Sequence, residues 1–250
     1  MCGRFSRASG REALAGEFPE VVLGDMEFRP RYNIAPSQAV EGIFCDGRML
    51  RLAPMRWGFT PAFAKESTFA PINARAETVA TSPMFRQAFR AGRCLVVADG
   101  FYEWRKDGRR KTPYFIRLRS GRPFGFAGIY AERASPSVHS PGSKAHRGTA
   151  ESVRPGARST PQGAGERSAV PTCAIITCGP NELLAEIHNR MPVILSVSAR
   201  ARWLDPGAAP AELLGLLTPL PAAEMEAYEV STWVNSPRND TPECVRPLGG

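Results

Sequence analysis

Lysine is nearly missing from this chain. Lys65, Lys106, Lys111 and Lys144 are the only four among 32 basic residues, so the net charge of +8 is carried almost wholly by arginine. Arginine's planar fork fits phosphate oxygens and base edges, which is compatible with a nucleic-acid partner; a GC-rich genome writes the same bias. No apolar run reaches the roughly 20 residues of a membrane span, so no membrane partner is expected. The opening residues have neither a basic n-region nor an apolar h-region, so no targeting leader is expected either. None of the six cysteines sits in a Cys-x-x-Cys pair. That argues against a zinc site and a disulfide framework and makes a reduced cytoplasm the default, with no metal or organic cofactor indicated. Aromatics are absent from Ala134 to Ala169, where Ser, Pro, Gly, Ala and Arg dominate. Such a stretch cannot bury enough apolar surface to order itself, and it reads as a disordered insertion at 134–169 between two strands. Five basic residues against two acidic ones give it a net charge of +3, which leaves +5 for the rest. His139 and His146 fall in this insertion, so His188 is the only imidazole of the folded body.

The whole chain has 250 residues, 43% of them hydrophobic, which suits one domain over 1–250 with a real core. Residues 11–23 read as a short helix broken by Pro19, and 31–37 as a loop with Ala35 held extended by Pro36. Strands are expected at 39–45 and 48–57 around Asp46-Gly47, at 93–98, at 114–119 and 124–130, at 171–177, at 193–197 and at 228–234. Short helices are expected at 84–90, 180–187 and within 200–217, with a loop-like tail at 237–247. Cys94 and Cys173 lie in apolar runs and read as core, as does Trp57.

Two features carry chemistry. If Met1 is removed, the chain begins at Cys2, with an α-amine of pKa about 8 and a thiol of about 8.5 on adjacent carbons. An aldehyde can take the amine as a Schiff base, and the thiol can then close a five-membered thiazolidine; no internal cysteine can do this. Glu103 stands in Phe101-Tyr102-Glu103-Trp104, among three aromatics at the end of an apolar run. Shielding from water there would raise its pKa into a range useful for acid–base work. Asn73 and Arg75 are two apart and share a face if their segment is extended.

Six segments taken in order resemble the SOS response-associated peptidase (SRAP) family, whose members shield abasic sites. They are Met1-Cys2-Gly3-Arg4-Phe5, Arg31-Tyr32-Asn33-Ile34-Ala35-Pro36, Trp57-Gly58-Phe59, Ile72 to Thr78, Ala98 to Trp104, and Ile187-His188-Asn189-Arg190-Met191-Pro192. The resemblance implies an α+β fold: a strongly curved, barrel-like, mainly antiparallel sheet with short helices outside. It implies that Cys2 attacks the ring-opened aldehyde of an abasic deoxyribose in single-stranded DNA and forms a thiazolidine crosslink. By motif position Asn73 holds the Cys2 terminus, Glu103 is the acid–base residue, and His188 assists in proton transfer and crosslink reversal. Arg4 and Arg75 match positions that hold the backbone around the lesion, while Asn33, Pro36, Trp104 and Thr177 match positions lining the DNA channel. A monomer is expected. Departures occur at Thr60 to Lys65, where only Phe63 can act as an aromatic wedge, and at Thr81 to Met84, where proline stands in place of a basic residue. Two other readings stay open: a cysteine peptidase pairing Cys2 with His188, with removal of Met1 as one such event, and a non-covalent binder of modified or single-stranded DNA.

Overall fold

A computed structural model describes residues 2–64, 70–132 and 170–249. The expected insertion at 134–169, both of its histidines, Lys65 and Met1 lie outside the described residues. The strands, in chain order, are β1 (Phe5–Arg7), β2 (Val21–Val22), β3 (Arg31–Ile34), β4 (Ala39–Asp46), β5 (Met49–Trp57), β6 (Asn73–Arg75), β7 (Arg93–Ala98), β8 (Gly100–Asp107), β9 (Arg110–Leu118), β10 (Phe124–Ala131), β11 (Thr172–Cys178), β12 (Met191–Pro192) and β13 (Met225–Glu229). The helices are short: α1 (Arg11–Glu17), α2 (Arg86–Ala91), α3 (Glu182–Ala185), α4 (Val197–Leu204) and α5 (Pro210–Gly215).

The strands make two sheets. The smaller runs β13-β9-β8-β1-β3 and is antiparallel throughout. The larger runs β12-β11-β10-β7-β4-β5-β2, and the start of β11 also pairs with β5 in parallel. That extra pairing coils the sheet into a ring that does not close into a barrel. The end of β11 leaves β5 and takes β6 instead, aligning Ile175 with Asn73 and Thr177 with Arg75. The fold is thus the α+β class expected, mainly antiparallel, with short helices.

Local sequence explains most of this. β7 and β11 are buried at every position, as continuous apolar runs between other layers should be. Gly47, at φ 69°, closes the β4–β5 hairpin where an L-residue would be strained. Phe5 anchors β1 in the core: its ring meets Trp57 at 5.1 Å and Phe126 at 5.8 Å, both edge-on. Cys94, Cys173 and Trp57 are fully buried, as expected.

Three expectations need correction. Residues 31–34 are not loop but strand β3, because β1 pairs with them and Asp240 accepts from the Tyr32 and Asn33 amides. Residues 193–197 are not a strand. Ile194 makes one isolated bridge to Phe126, and Ser196 Oγ accepts from the Ala199 amide to start α4 at Val197. The last strand ends at Glu229, and Thr232–Asn235 is a 3-10 turn capped by Ser231.

Gly100 begins β8 opposite Ser6 and sits under the Phe115 ring. A methyl group there would run into that ring and stand 2.8 Å from the Ile116 carbonyl oxygen. Gly100→Ala should therefore lower stability by about 1–3 kcal/mol through overpacking, read as a shifted urea midpoint at unchanged slope.

Candidate active site

Strand β1 enters the smaller sheet between β3 and β8, with Phe5 opposite Phe101 and Ser6 opposite Gly100. Carried one step outward, this register sets Arg4 against Tyr102, whose amide donates to the Arg4 carbonyl at 2.9 Å. Beyond that bond the chain end carries Cys2 close enough to Glu103 for the carboxylate charge to act on its thiol. Cys2 is fully buried, and Glu103 is 3% exposed. Burial pushes the Cys2 thiol well above its ordinary value, and the Glu103 charge pushes it further. Burial likewise lifts Glu103 to about 7. A carboxyl with that value holds and releases a proton near neutrality, as a general acid–base must.

Asn73 reaches this point from the other sheet. Its position on β6 is fixed by the parallel ladder to β11, and its Nδ2 donates to the Cys2 carbonyl at 2.9 Å. Its Oδ1 is buried and has no hydrogen-bond partner among the described residues. Buried acceptors are rarely left so, and this one is an open place for a donor.

His188 closes the fourth side. Its Nε2 lies 4.0 Å from Glu103 Oε2. Its Nδ1 accepts from the Arg190 amide at 3.1 Å. The Arg190 carbonyl oxygen lies 3.2 Å from the same nitrogen, so the Arg190 backbone holds the ring in either tautomer. Burial lowers the His188 pKa, which favours the neutral ring. Arg190 is fixed in turn: its guanidinium makes a two-point bridge to Glu77 at 2.5 and 2.9 Å and donates to the Thr177 carbonyl at 2.6 Å. Sequence reasoning missed Arg190 and Glu77 as site-builders, although both stand inside motifs that drew attention for other residues. Their pairing spans 113 positions.

The expected DNA-channel residues divide. Arg4 is half-buried; its Nη1 donates to Asn33 Oδ1 at 2.7 Å and to the Val234 carbonyl at 2.8 Å, and its guanidinium lies 6.0 Å from the Trp104 ring centre. Trp104 donates its indole proton to Asn235 Oδ1 at 2.8 Å. Asn33 is fully buried and also donates to the carbonyls of Val234, Ser236 and Asn239, so it braces Arg4 and the C-terminal segment. Thr177, at 1% exposure, sits beneath Arg190. Neither Asn33 nor Thr177 presents its side chain to solvent. Pro36 and Arg75 are exposed, and so is Phe63, on the stretch expected to carry a wedge. Among the described residues, no three His, Cys, Asp or Glu side chains gather as a metal would need. No described helix is long and apolar enough to cross a membrane.

The family described as SOS response associated peptidase (SRAP) matches residues 1–237. The chain is 39% identical to the abasic site processing protein YoqW of Bacillus subtilis, over 98% of this chain and 99% of that protein. It is 29% identical to the abasic site processing protein YedK of Escherichia coli, over 99% and 100%. It is 33% identical to the abasic site processing protein HMCES of Gallus gallus, over 99% of this chain and 78% of that protein. A crystal structure of a protein from Bacteroides thetaiotaomicron superposes with a TM-score of 0.77 at 24% identity, covering 99% and 100%, and shares the fold.

The raised Glu103 pKa makes a stability prediction. An acid whose folded pKa lies above its unfolded value of 4.5 opposes folding once it must ionise. Its proton-linked stability is intact below pH 4.5 and is lost as pH rises through about 7. Glu103→Gln removes that dependence. In urea unfolding, the variant should gain on the wild type between pH 4.5 and 8, by up to about 3 kcal/mol. A gap that stays constant with pH would contradict the raised value.

Proposed function

The chain belongs to the SRAP family, and on that footing we propose that it processes abasic sites, capturing them in single-stranded DNA as a thiazolidine on Cys2. The observation that carries the reading is the convergence of Asn73, Glu103 and His188 on the Cys2 position, from three separate stretches of chain.

The chemistry runs as follows once Met1 is gone. Glu103, which burial keeps protonated toward neutrality, donates to the ring oxygen of the abasic sugar while the anomeric hydroxyl gives up its proton, and the ring opens to the aldehyde. The Cys2 amine adds to the aldehyde carbon. Water leaves with a proton from Glu103 or from His188 Nε2, and a C=N bond remains. The Cys2 sulfur then adds to that carbon, its proton returns to the group that protonated the departing water, and the five-membered ring is complete. The raised thiol pKa suits this order: the sulfur stays protonated and waits for the electrophilic iminium. Ring closure removes the iminium before it can drive strand cleavage by β-elimination, so the lesion is covered rather than nicked. Asn73 holds the Cys2 carbonyl throughout, and its open Oδ1 accepts from the new amine. Crosslink reversal is the same steps run backwards; lyase activity follows where the ring does not close, when a base takes the C2′ proton of the iminium and the 3′ phosphate leaves, with His188 and Glu103 moving the protons. The cysteine-peptidase reading has less support, because it needs an accessible thiolate and Cys2 is buried with its thiol pushed up.

The test uses a single-stranded oligonucleotide bearing one abasic site. Wild-type protein should give a slow band on a denaturing gel, and Cys2→Ala should give none. Glu103→Gln should form the band about 100-fold more slowly or worse, the usual loss for a general acid–base. Absence of the band from protein shown by mass to begin at Cys2 would defeat the proposal.

A further inference from the structure

The β8–β9 hairpin carries a cluster of charge that none of the chemistry above uses. Residues 105–111 read Arg-Lys-Asp-Gly-Arg-Arg-Lys, and all seven are exposed. The two strands are joined by Gly108 and Arg109, with Gly108 at φ 56°, so the turn is tight and its register fixed. Within that register Lys106 stands directly opposite Lys111. Like charges placed face to face across an antiparallel pair repel and weaken the hairpin. Arg105 is tied down by Glu229 at 3.3 Å and lies over Tyr114. Lys106 and Lys111 have no ion pair among the described residues. Two unneutralised ammonium groups fixed side by side are matched by a line of anions.

The pleat shows where they lead. Alternate side chains share a face of a strand, and cross-strand partners share it too. Lys106 therefore lies on the face of β8 that carries Trp104, and Lys111 lies on the same face as Pro113, opposite Trp104. Arg4 rests over Trp104 on that face. The order along it is Arg4, Trp104, then the lysine pair: cation, aromatic, cations. A single strand of nucleic acid is gripped by such an alternation, with bases on aromatic rings and phosphates on cations.

We propose that Lys106 and Lys111 form a phosphate-binding extension of the site, guiding the DNA strand on one side of the lesion away from Arg4 and Trp104. This rests on the DNA reading above, but its test is independent of the crosslink. Binding of an undamaged single-stranded oligonucleotide is measured against salt, in the Cys2→Ala background so that no adduct forms. For a single strand, each phosphate that the protein ceases to neutralise lowers the slope of log K against log salt by about 0.7. Lys106→Gln with Lys111→Gln should therefore reduce the slope by about 1.4. Arg48→Gln with Arg86→Gln, which removes the same charge from the β4–β5 turn and from α2, should leave it unchanged. A second measurement locates the strand. With Cys2 present, abasic oligonucleotides are cut back to the lesion on one side or the other. The lysine variant should crosslink more weakly than wild type at sub-saturating DNA, and truncation on one side only should abolish that difference. At saturation the variant should match wild-type adduct yield, which also shows that it is folded. An unchanged slope, an equal decrease in the arginine control, or indifference to both truncations would overturn the proposal. Failure of wild type to form any adduct, with the slope change intact, would instead sink the thiazolidine reading and leave the lysine track standing.

Discussion

Everything in this molecule turns on keeping a thiol and a carboxyl out of water at the same point. Cys2 is wholly buried and Glu103 nearly so. A group forced to ionise in such a place costs free energy, and the pKa of Glu103 moves up to about 7 in response. The fold tolerates the cost because β1 is held on both edges and Phe5 is packed between Trp57 and Phe126. Without that packing the first residues would fray, as chain ends usually do, and the carboxyl would return to ordinary acidity.

The two sheets divide the labour. The smaller holds Glu103 on β8 and, through β1, anchors the chain end that carries Cys2 beside it. The larger contributes Asn73 through β6, and Thr177 at the end of β11 steadies Arg190 just beyond His188. The side chains proposed to act sit on strands or within a few residues of them, and each is steadied by a neighbour. His188 is set by the Arg190 amide, Arg190 by Glu77, and Arg4 by Asn33. Such bracing holds reacting groups in place without demanding motion.

Much of this is legible in the residues, and the limits of legibility are physical. Continuous apolar runs announced β7 and β11, and Gly47 announced the β4–β5 hairpin, because those signals are local. The aromatic setting of Glu103 gave the direction of its pKa for the same reason. Misreadings fell where partners are distant in sequence. Residues 31–34 look like a loop until Asp240, more than 200 positions on, meets their amides. The burial of the polar Asn33 and Thr177 side chains likewise comes from tertiary contacts that no local signal shows. Glu77 and Arg190 gave no local sign that they pair. The lysine pair of the β8–β9 hairpin is visible as composition, but its shared face with Trp104 follows only from register.

The central claim is that both nucleophiles of Cys2 are consumed in one ring. The most direct measurement takes the adduct with an abasic oligonucleotide, denatures it, alkylates all free thiols, digests it with trypsin and nuclease, and weighs the peptide Cys2-Gly3-Arg4. The account predicts a peptide that carries the sugar remnant and no alkyl group, because its sulfur is already bonded to the sugar carbon. A peptide carrying both remnant and alkyl group would mean attachment through the amine alone, and an alkylated peptide without remnant would place the reaction elsewhere. Either would contradict it.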